Sequence, residues 1–366
     1  MIKKRARAAL LIFAAAVLGG VVVLNIIGRP LRIKTDTELD GVSEELCGIL
    51  YYGSFAANSH NTQSWKTELN VDARQITVSI DRERTLPYAD PECREMYISL
   101  GCYIEAMVFA FDAYGYDTEV EYPIPSYGGD QTAVISYTRR ENAEINNPQI
   151  ETIKRRHTDK SAFSKDEIDD ITVEALLMGD PEICCCKTGS EEFEYIKSGT
   201  LDAIILQSAQ SEYREELNEW MRFSDSEVRI KKDGISAEMI GLRGIIKAFY
   251  YLTTDHVSAE KDTFADQGIA TAKKQLENCG AFLVVTGGDT VPELIETGRK
   301  TQRLWYRCVE NNVAVQPMSA MLETAPYSAG IKDKLSTLQS VQMLLRCGYV
   351  EITAKTMRCV AILKIM

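Results

Sequence analysis

With 366 residues, 45% of them hydrophobic, the chain can bury one large core or two smaller ones. A net charge of −12 leaves no basic face for a phosphate backbone, which excludes nucleic acid as a partner. Ten cysteines without a CxxC pair, and three histidines in all, argue against structural zinc, and no metal site is expected.

Residues 8–27 are apolar apart from Asn25, a length that matches the hydrocarbon core of a bilayer at helical rise. A cleaved signal peptide is the competing reading, but no small-x-small site follows the run. A single-pass membrane anchor is therefore expected, with residues 1–34 as anchor and flank. Lys3, Lys4, Arg5 and Arg7 precede the run and Arg29, Arg32 and Lys34 follow it, which favours the amino terminus inside. The cysteines pull the other way. They show no disulfide framework, since Cys184, Cys185 and Cys186 are consecutive and the rest are scattered, and they read as small core residues of a reducing compartment.

Residues 43–55 read as a helix with Ser43 as N-cap, because Leu46, Ile49 and Leu50 share a face. Residues 67–71 and 76–80 alternate around Asp72-Ala73-Arg74, a hairpin signal. Asp90 as N-cap and Pro91 at the first helical position predict a long helix carrying Leu100, Ile104, Met107 and Phe111. Strands are expected at 118–123 and 132–138. Asn146-Asn147-Pro148 marks a break that divides the globular part into halves at 35–145 and 146–366. In the second half, helices are expected at 148–156, 166–178, 191–222, 263–278 and 291–311. Strands are expected at 183–187, 281–286, 313–316, 341–352 and 360–365. Residues 224–262 read as an irregular insertion or lid. The fold class is α+β.

Two polar segments carry the chemistry. Asn58-Ser59-His60-Asn61 leads through Gln63 to Trp65, a run of short hydrogen-bonders closed by an aromatic. Arg155-Arg156-His157-Thr158-Asp159-Lys160 offers cations with hydroxyl and imidazole groups between them. Arginine supplies planar paired donors and lysine a point charge, which together suit a phosphate. Taken singly, the first segment is also explained as a polar loop and the second as a solvated basic turn after a helix. Together they suit a ligand with a phosphate, a polyol chain and a flat ring, as in FMN. No Ser/His/Asp arrangement is visible.

The first segment resembles the "PSxxNxQPW" motif of the FMN-dependent nitroreductase family, and the second resembles its "R-[RH]-S-x-[RK]" motif. In that family a dimer builds flavin sites at its interface, one subunit giving the basic segment and the other the Ser/Asn segment. Here each motif occurs once and their order is reversed, which is similar to the Acg-like branch, where one chain contains both halves as an internal pseudo-dimer. The resemblance covers residues 40–366. Residues 81–101 resemble the hairpin-to-helix passage of that branch, residues 219–222 with Asp233-Gly234 its lid, Val313-Ala314-Val315-Gln316-Pro317-Met318-Ser319-Ala320-Met321 the family's "VxxxPIEGF" segment, and Leu344-Leu345-Arg346-Cys347-Gly348-Tyr349 its C-terminal segment.

The resemblance implies a nitroreductase-like fold and one FMN per chain in a monomer. NADH or NADPH would serve as electron donor and a nitroaromatic or quinone as small-molecule acceptor. It implies that Arg155, Arg156, His157, Thr158 and Lys160 hold the phosphate, ribityl and pyrimidine side, with Lys160 near the pyrimidine edge. Ser59, His60 and Asn61 would close the site from the other half, Ser319 and Ala320 would line the flavin N5 edge through their backbones, and Arg346 would be a further phosphate contact. Ala57 and Ser64 stand where the family has prolines, and Ser319-Ala320 where it has Glu-Gly. An alternative from another class is a flavin-sequestering protein whose lid covers a poorly catalytic site.

Overall fold

The computed structural model describes residues 15, 18–32, 38–122, 131–325 and 327–350. Of the expected anchor, residues 8–14, 16 and 17 lie outside the described residues, as does the strand expected at 360–365. The described remainder of the anchor is a short apolar helix, α1 (Leu18–Ile27).

The first half begins with α2 (Glu44–Gly53), where the Ser43 side chain accepts from the Leu46 N–H as expected of an N-cap. The hairpin forms from β1 (Trp65–Asn70) and β2 (Gln75–Ile80), paired from Trp65↔Ile80 to Asn70↔Gln75. Helix α3 (Arg94–Ala113) then leads to β3 (Tyr116–Glu121) and β4 (Gln131–Arg139), and the antiparallel sheet has the order β1-β2-β4-β3.

The start of α3 corrects the expected one. The Asp90 carboxylate does cap the helix, accepting from the N–H groups of Glu95 at 3.0 Å and Met96 at 2.9 Å. It does so across a turn, with Pro91 outside the helix and Cys93 in left-handed geometry at φ 57°. By length and composition α3 is apolar enough to cross a membrane, but it is 83% buried inside the protein and is a core helix.

The second half opens with α4 (Asn147–Arg155), α5 (Asp170–Leu177) and β5 (Ile183–Lys187). The helix expected at 191–222 is two, α6 (Glu191–Ser208) and α7 (Ser211–Trp220). The stretch expected to be irregular holds a two-stranded parallel pair, β6 (Met221–Arg222) and β7 (Ile235–Ser236), and the short helices α8 (Asp225–Lys231), α9 (Gly244–Thr253) and α10 (His256–Ala259). Then come α11 (Asp262–Glu277), β8 (Ala281–Gly287), α12 (Val291–Glu310), β9 (Ala314–Pro317), α13 (Ala320–Glu323), α14 (Tyr327–Lys334) and β10 (Ser340–Gly348). This sheet has the order β5-β8-β10-β9.

The two sheets share one plan. In each, a long helix follows the second strand, and the last strand inserts beside the second. The halves differ between their first two strands. Asp72, Ala73 and Arg74 turn the corner in the first half, whereas residues 188–280 fill that place in the second.

The long helices α3 and α12 pack on each other through glycine. A Cβ added at Gly101 would lie 2.0 Å from the Ile295 carbonyl oxygen, and one added at Gly298 would lie 2.0 Å from that of Ile98. Glu105 on α3 is buried and accepts from Arg299 and Arg303 on α12, each at 2.8 Å. One core surrounds this helix pair and reaches both sheets, through Ile76 and Val78 on β2 and Leu283 and Val285 on β8. Strand β8 is buried along its whole length, because Phe282 and Val284 point to the opposite face and meet a second cluster with α6 and α11. Among the described residues the cysteines are free, most of them buried, as expected of small core residues.

Candidate functional site

After α2 the chain crosses both long helices. The Ala57 N–H donates to Gln302 Oε1 on α12 at 3.1 Å, the Ser59 N–H to Ser99 Oγ on α3 at 3.3 Å, and Ser59 Oγ to Glu95 Oε2 at 2.6 Å. Residues 59–61 then form a single 3-10 turn, with His60 at φ 48° and Asn61 at φ 55°, and Gln63 follows at φ 52°. Such left-handed geometry persists where surrounding contacts over-determine it. Here the Gln63 N–H donates to Asn58 Oδ1 at 3.0 Å, and Gln63 Nε2 donates to the Lys232 carbonyl at 2.9 Å. Asn61 and Gly234 exchange a pair of bonds: Asn61 Nδ2 donates to the Gly234 carbonyl at 3.0 Å, and the Gly234 N–H donates to the Asn61 carbonyl at 3.1 Å. The turn is therefore clamped between the helix pair and the insertion.

The basic segment leaves α4 in extended geometry at Arg156. Arg155 faces solvent and donates to Asn312 Oδ1 at 2.7 Å. Arg156 turns inward, is buried, donates from Nε to the Phe55 carbonyl at 3.1 Å and lies over the Trp305 ring at 4.7 Å. The rest of the segment is fastened by the Asp159 N–H to the Val315 carbonyl on β9 and by Gln275 Nε2 to the Lys160 carbonyl.

These two segments meet. Ser59, His60, Asn61, Arg156, His157, Thr158, Lys160, Ser319 and Ala320 line one cavity of about 540 Å³. Two predicted residues stand apart from it. Arg155 is the outward cation just described. Arg346 on β10 is fully buried and donates to the carbonyls of Gln275 at 2.7 Å, Asn278 at 3.0 Å and Ser161 at 2.8 Å. It ties the basic segment to the end of α11. His256 also lies away from the lining, between Asn218 and Glu227.

Among the described residues, Arg156 Nη1 and His60 Nδ1 in the wall are buried without a hydrogen-bond partner, while His157 Nε2 faces Asp159 Oδ2 at 3.6 Å. Burial pushes Arg156 down to about 10, and no carboxylate is among the groups that offset it. Lys160 is likewise lowered by burial. His157 donates from Nδ1 to the Arg155 carbonyl at 2.7 Å, which orients the ring.

Four residues that motif reading did not reach complete the wall. Trp305 on α12 floors the Arg156 guanidinium. Ser99 receives the Ser59 N–H. Glu95 and Glu323 form a carboxyl pair. Burial pushes Glu95 up, but Arg94 and the hydroxyls of Ser59 and Ser319 outweigh it and hold the carboxyl below its ordinary value. Burial, then the neighbouring Glu95, raise Glu323 well above its own, while Gln207 Nε2 donates to it at 2.9 Å. The two carboxyls are thus driven in opposite directions, so Glu323 takes up a proton before Glu95 does. A short polar loop advertises itself in a sequence; a single Glu on a helix reads as solvent-facing, and only the fold shows that these two converge.

Burial lowers His60 from 6.5 to about 4, with Lys160 adding to the effect and Glu95 opposing it. The imidazole is thus neutral at pH 7. A depressed folded pKa means that the unfolded chain binds the extra proton first, so stability is full above pH 6.5 and is lost as pH falls towards 4. The wild type is expected to lose about 2 kcal/mol more than His60→Gln between pH 7 and pH 5, measured by urea unfolding. Equal losses would show that His60 is not held neutral.

No family model matches the chain. It is similar to a protein of Serratia sp. (strain ATCC 39006) described as "Probable NAD(P)H nitroreductase PigM". The two are 20% identical over 307 residues, covering 80% of this chain and 85% of the relative. This likeness supports the nitroreductase family. The mixed helix-and-sheet architecture is consistent with a nitroreductase-like fold.

Proposed function

We propose that the chain is an FMN-dependent NAD(P)H oxidoreductase acting on nitro- or quinone-type acceptors, folded as an internal pseudo-dimer with one flavin per chain. The observation that carries this reading is the cavity's composition. A cationic wall from one half and a Ser/His/Asn turn from the other face a single space, and both leave buried hydrogen-bonding atoms without partners. Buried polar groups are rarely left so unless a ligand or water completes them. The volume falls in the range of cofactor sites. The shared strand order of the two sheets and the matched glycines of α3 and α12 support the pseudo-dimer. The distant likeness to a probable NAD(P)H nitroreductase supports the activity.

FMN, when bound, would supply the hydride chemistry; the protein binds and orients it. Arg156, Thr158 and Lys160 would hold its anionic and carbonyl groups, and His157 offers an oriented imidazole beside them. Ser59, His60 and Asn61 would close the site, the neutral His60 as a hydrogen-bonding partner without charge. Ser319 and Ala320 would contribute backbone groups. The Glu95–Glu323 carboxyl pair stands at the same wall, Glu323 the more readily protonated of the two. Exposed apolar side chains along α1 support a membrane anchor at residues 8–27.

Extraction of the purified full chain is expected to yield close to one equivalent of FMN. NADH or NADPH should bleach its visible absorption under anaerobic conditions, and a quinone should restore it. FAD, or two flavins per chain, would overturn the single FMN site. A second reading, flavin sequestration, is favoured by the insertion, since its Ile235, Glu238, Met239 and Ala259 line the same cavity. A bound flavin that neither nucleotide bleaches would decide for it.

A further inference from the structure

Helix α9 is built inside out. Its cation, Lys247, is fully buried, held by Glu238 at 2.6 Å and Asp225 at 2.8 Å. Its outward face is apolar: Ile245, Ile246, Phe249 and Leu252 are 56, 66, 57 and 58% exposed. Ile230 on α8 and Val257 on α10 are also exposed. A surface helix of a water-soluble domain shows the opposite pattern, and clustered apolar exposure of this kind marks a contact surface.

The position of α1 says what the partner is. The chain leaves α1 at Gly28, which sits so close to the first residue of α9 that an added Cβ would lie 2.3 Å from the Gly244 carbonyl oxygen. The next residues are stitched to the insertion. Lys247 Nζ donates to the Arg29 carbonyl at 2.9 Å, the N–H of buried Leu31 to Glu238 Oε1 at 2.7 Å, and Arg229 Nε to the Arg32 carbonyl at 3.4 Å. No slack linker separates the apolar helix from the apolar face. Exposed Arg29, Arg32, Arg229 and Lys231 stand along the same junction.

We propose that the outer face of α9, with Ile230 and Val257, docks into the headgroup–acyl boundary of the bilayer that holds α1, with the four cations on anionic headgroups. This rests on the reading of residues 8–27 as a membrane anchor. A helix lying in the interface combines an apolar face with basic residues in this way. A second copy on this face would instead bring two sets of these cations together. Docking also reaches the flavin site, because Glu238, which holds Leu31 and Lys247, lines the cavity together with Met239.

The test uses the full chain in vesicles of equimolar phosphatidylcholine and phosphatidylglycerol, with acyl chains brominated near the carbonyl. In Phe249→Trp, the fluorescence added over the parent chain is expected to fall about twofold against unbrominated vesicles. On the unmodified chain, a lipid with a diazirine on its acyl chain should label peptides spanning 244–257 as well as α1. Unquenched fluorescence and adducts confined to α1, on a chain that survives an alkaline wash, would overturn docking and leave the anchor. Quenching on a chain that the wash removes would overturn the anchor and leave docking. Cross-links between two copies of the α9 peptide would assign the face to a second chain and overturn the proposal.

Discussion

Arg156→Met is expected to weaken FMN binding by roughly 10- to 150-fold, the worth of a charge-assisted hydrogen bond of about 1.5–3 kcal/mol. The flavin-free protein should not be destabilised, and its melting temperature should hold or rise. The two effects have opposite signs for one reason. Arg156 is a buried cation with one hydrogen bond to a carbonyl, an aromatic face beneath it and an unpartnered Nη1. Removing an ion from water costs several kcal/mol, and apolar replacement of such groups is often neutral or stabilising. The fold uses Nε and leaves Nη1 for the proposed flavin. Arg156→Lys keeps the charge but loses the planar fork, and should fall between the two. Flavin fluorescence titration gives the affinity, and thermal unfolding of the stripped protein gives the stability. A variant that binds FMN as tightly as the parent would place the flavin elsewhere.

How the sequence announced these parts follows from distance along the chain. Local signals were legible. Ser43 caps α2, the β1–β2 hairpin turns at Asp72-Ala73-Arg74, and the continuous apolar run at 281–286 is a strand covered on both faces. Asp90-Pro91 was half legible, since Asp90 caps α3 while a left-handed Cys93 stands between the cap and the helix. The elements of the insertion escaped because α8, α9 and α10 are shorter than the window over which periodicity can be read. In α9 the apolar stripe also faces outward. At the site, nine residues of two short motifs and one strand-to-loop segment converge on the cavity. Glu95, Glu323 and Trp305 were not legible, because each lies on a helix and reaches the cavity only through tertiary packing. Arg346 sits between Leu345 and Cys347 in a strand buried almost throughout. Its guanidinium is taken up by backbone carbonyls of the basic segment and α11, not by the cavity.

Gly101→Ala and Gly298→Ala are each expected to cost about 1–3 kcal/mol or more in stability, as overpacking does. A bulkier Gly101→Val should prevent folding to a flavin-retaining state. Each added Cβ meets a backbone carbonyl at 2.0 Å and the partner glycine's Cα within 3 Å, so relief requires the two long helices to separate. Protein interiors are too densely packed to absorb such a shift locally. The consequence reaches the site, because Ile98, Ser99 and Cys102 on α3 and Thr301 and Trp305 on α12 form its floor beside this crossing. Gly268→Ala is the informative control. Gly268 lies inside α11 with no atom of the described residues within 4 Å of an added Cβ, so the exchange should stabilise the protein by up to about 1 kcal/mol through helix propensity alone. Urea unfolding of the three variants separates the cases. Equal behaviour of Gly101→Ala and Gly268→Ala would mean that the α3–α12 crossing has room for an added methyl group. A matched loss at Gly101 and Gly298 would show that the two long helices lean on one shared contact, as the proposed pseudo-dimer requires.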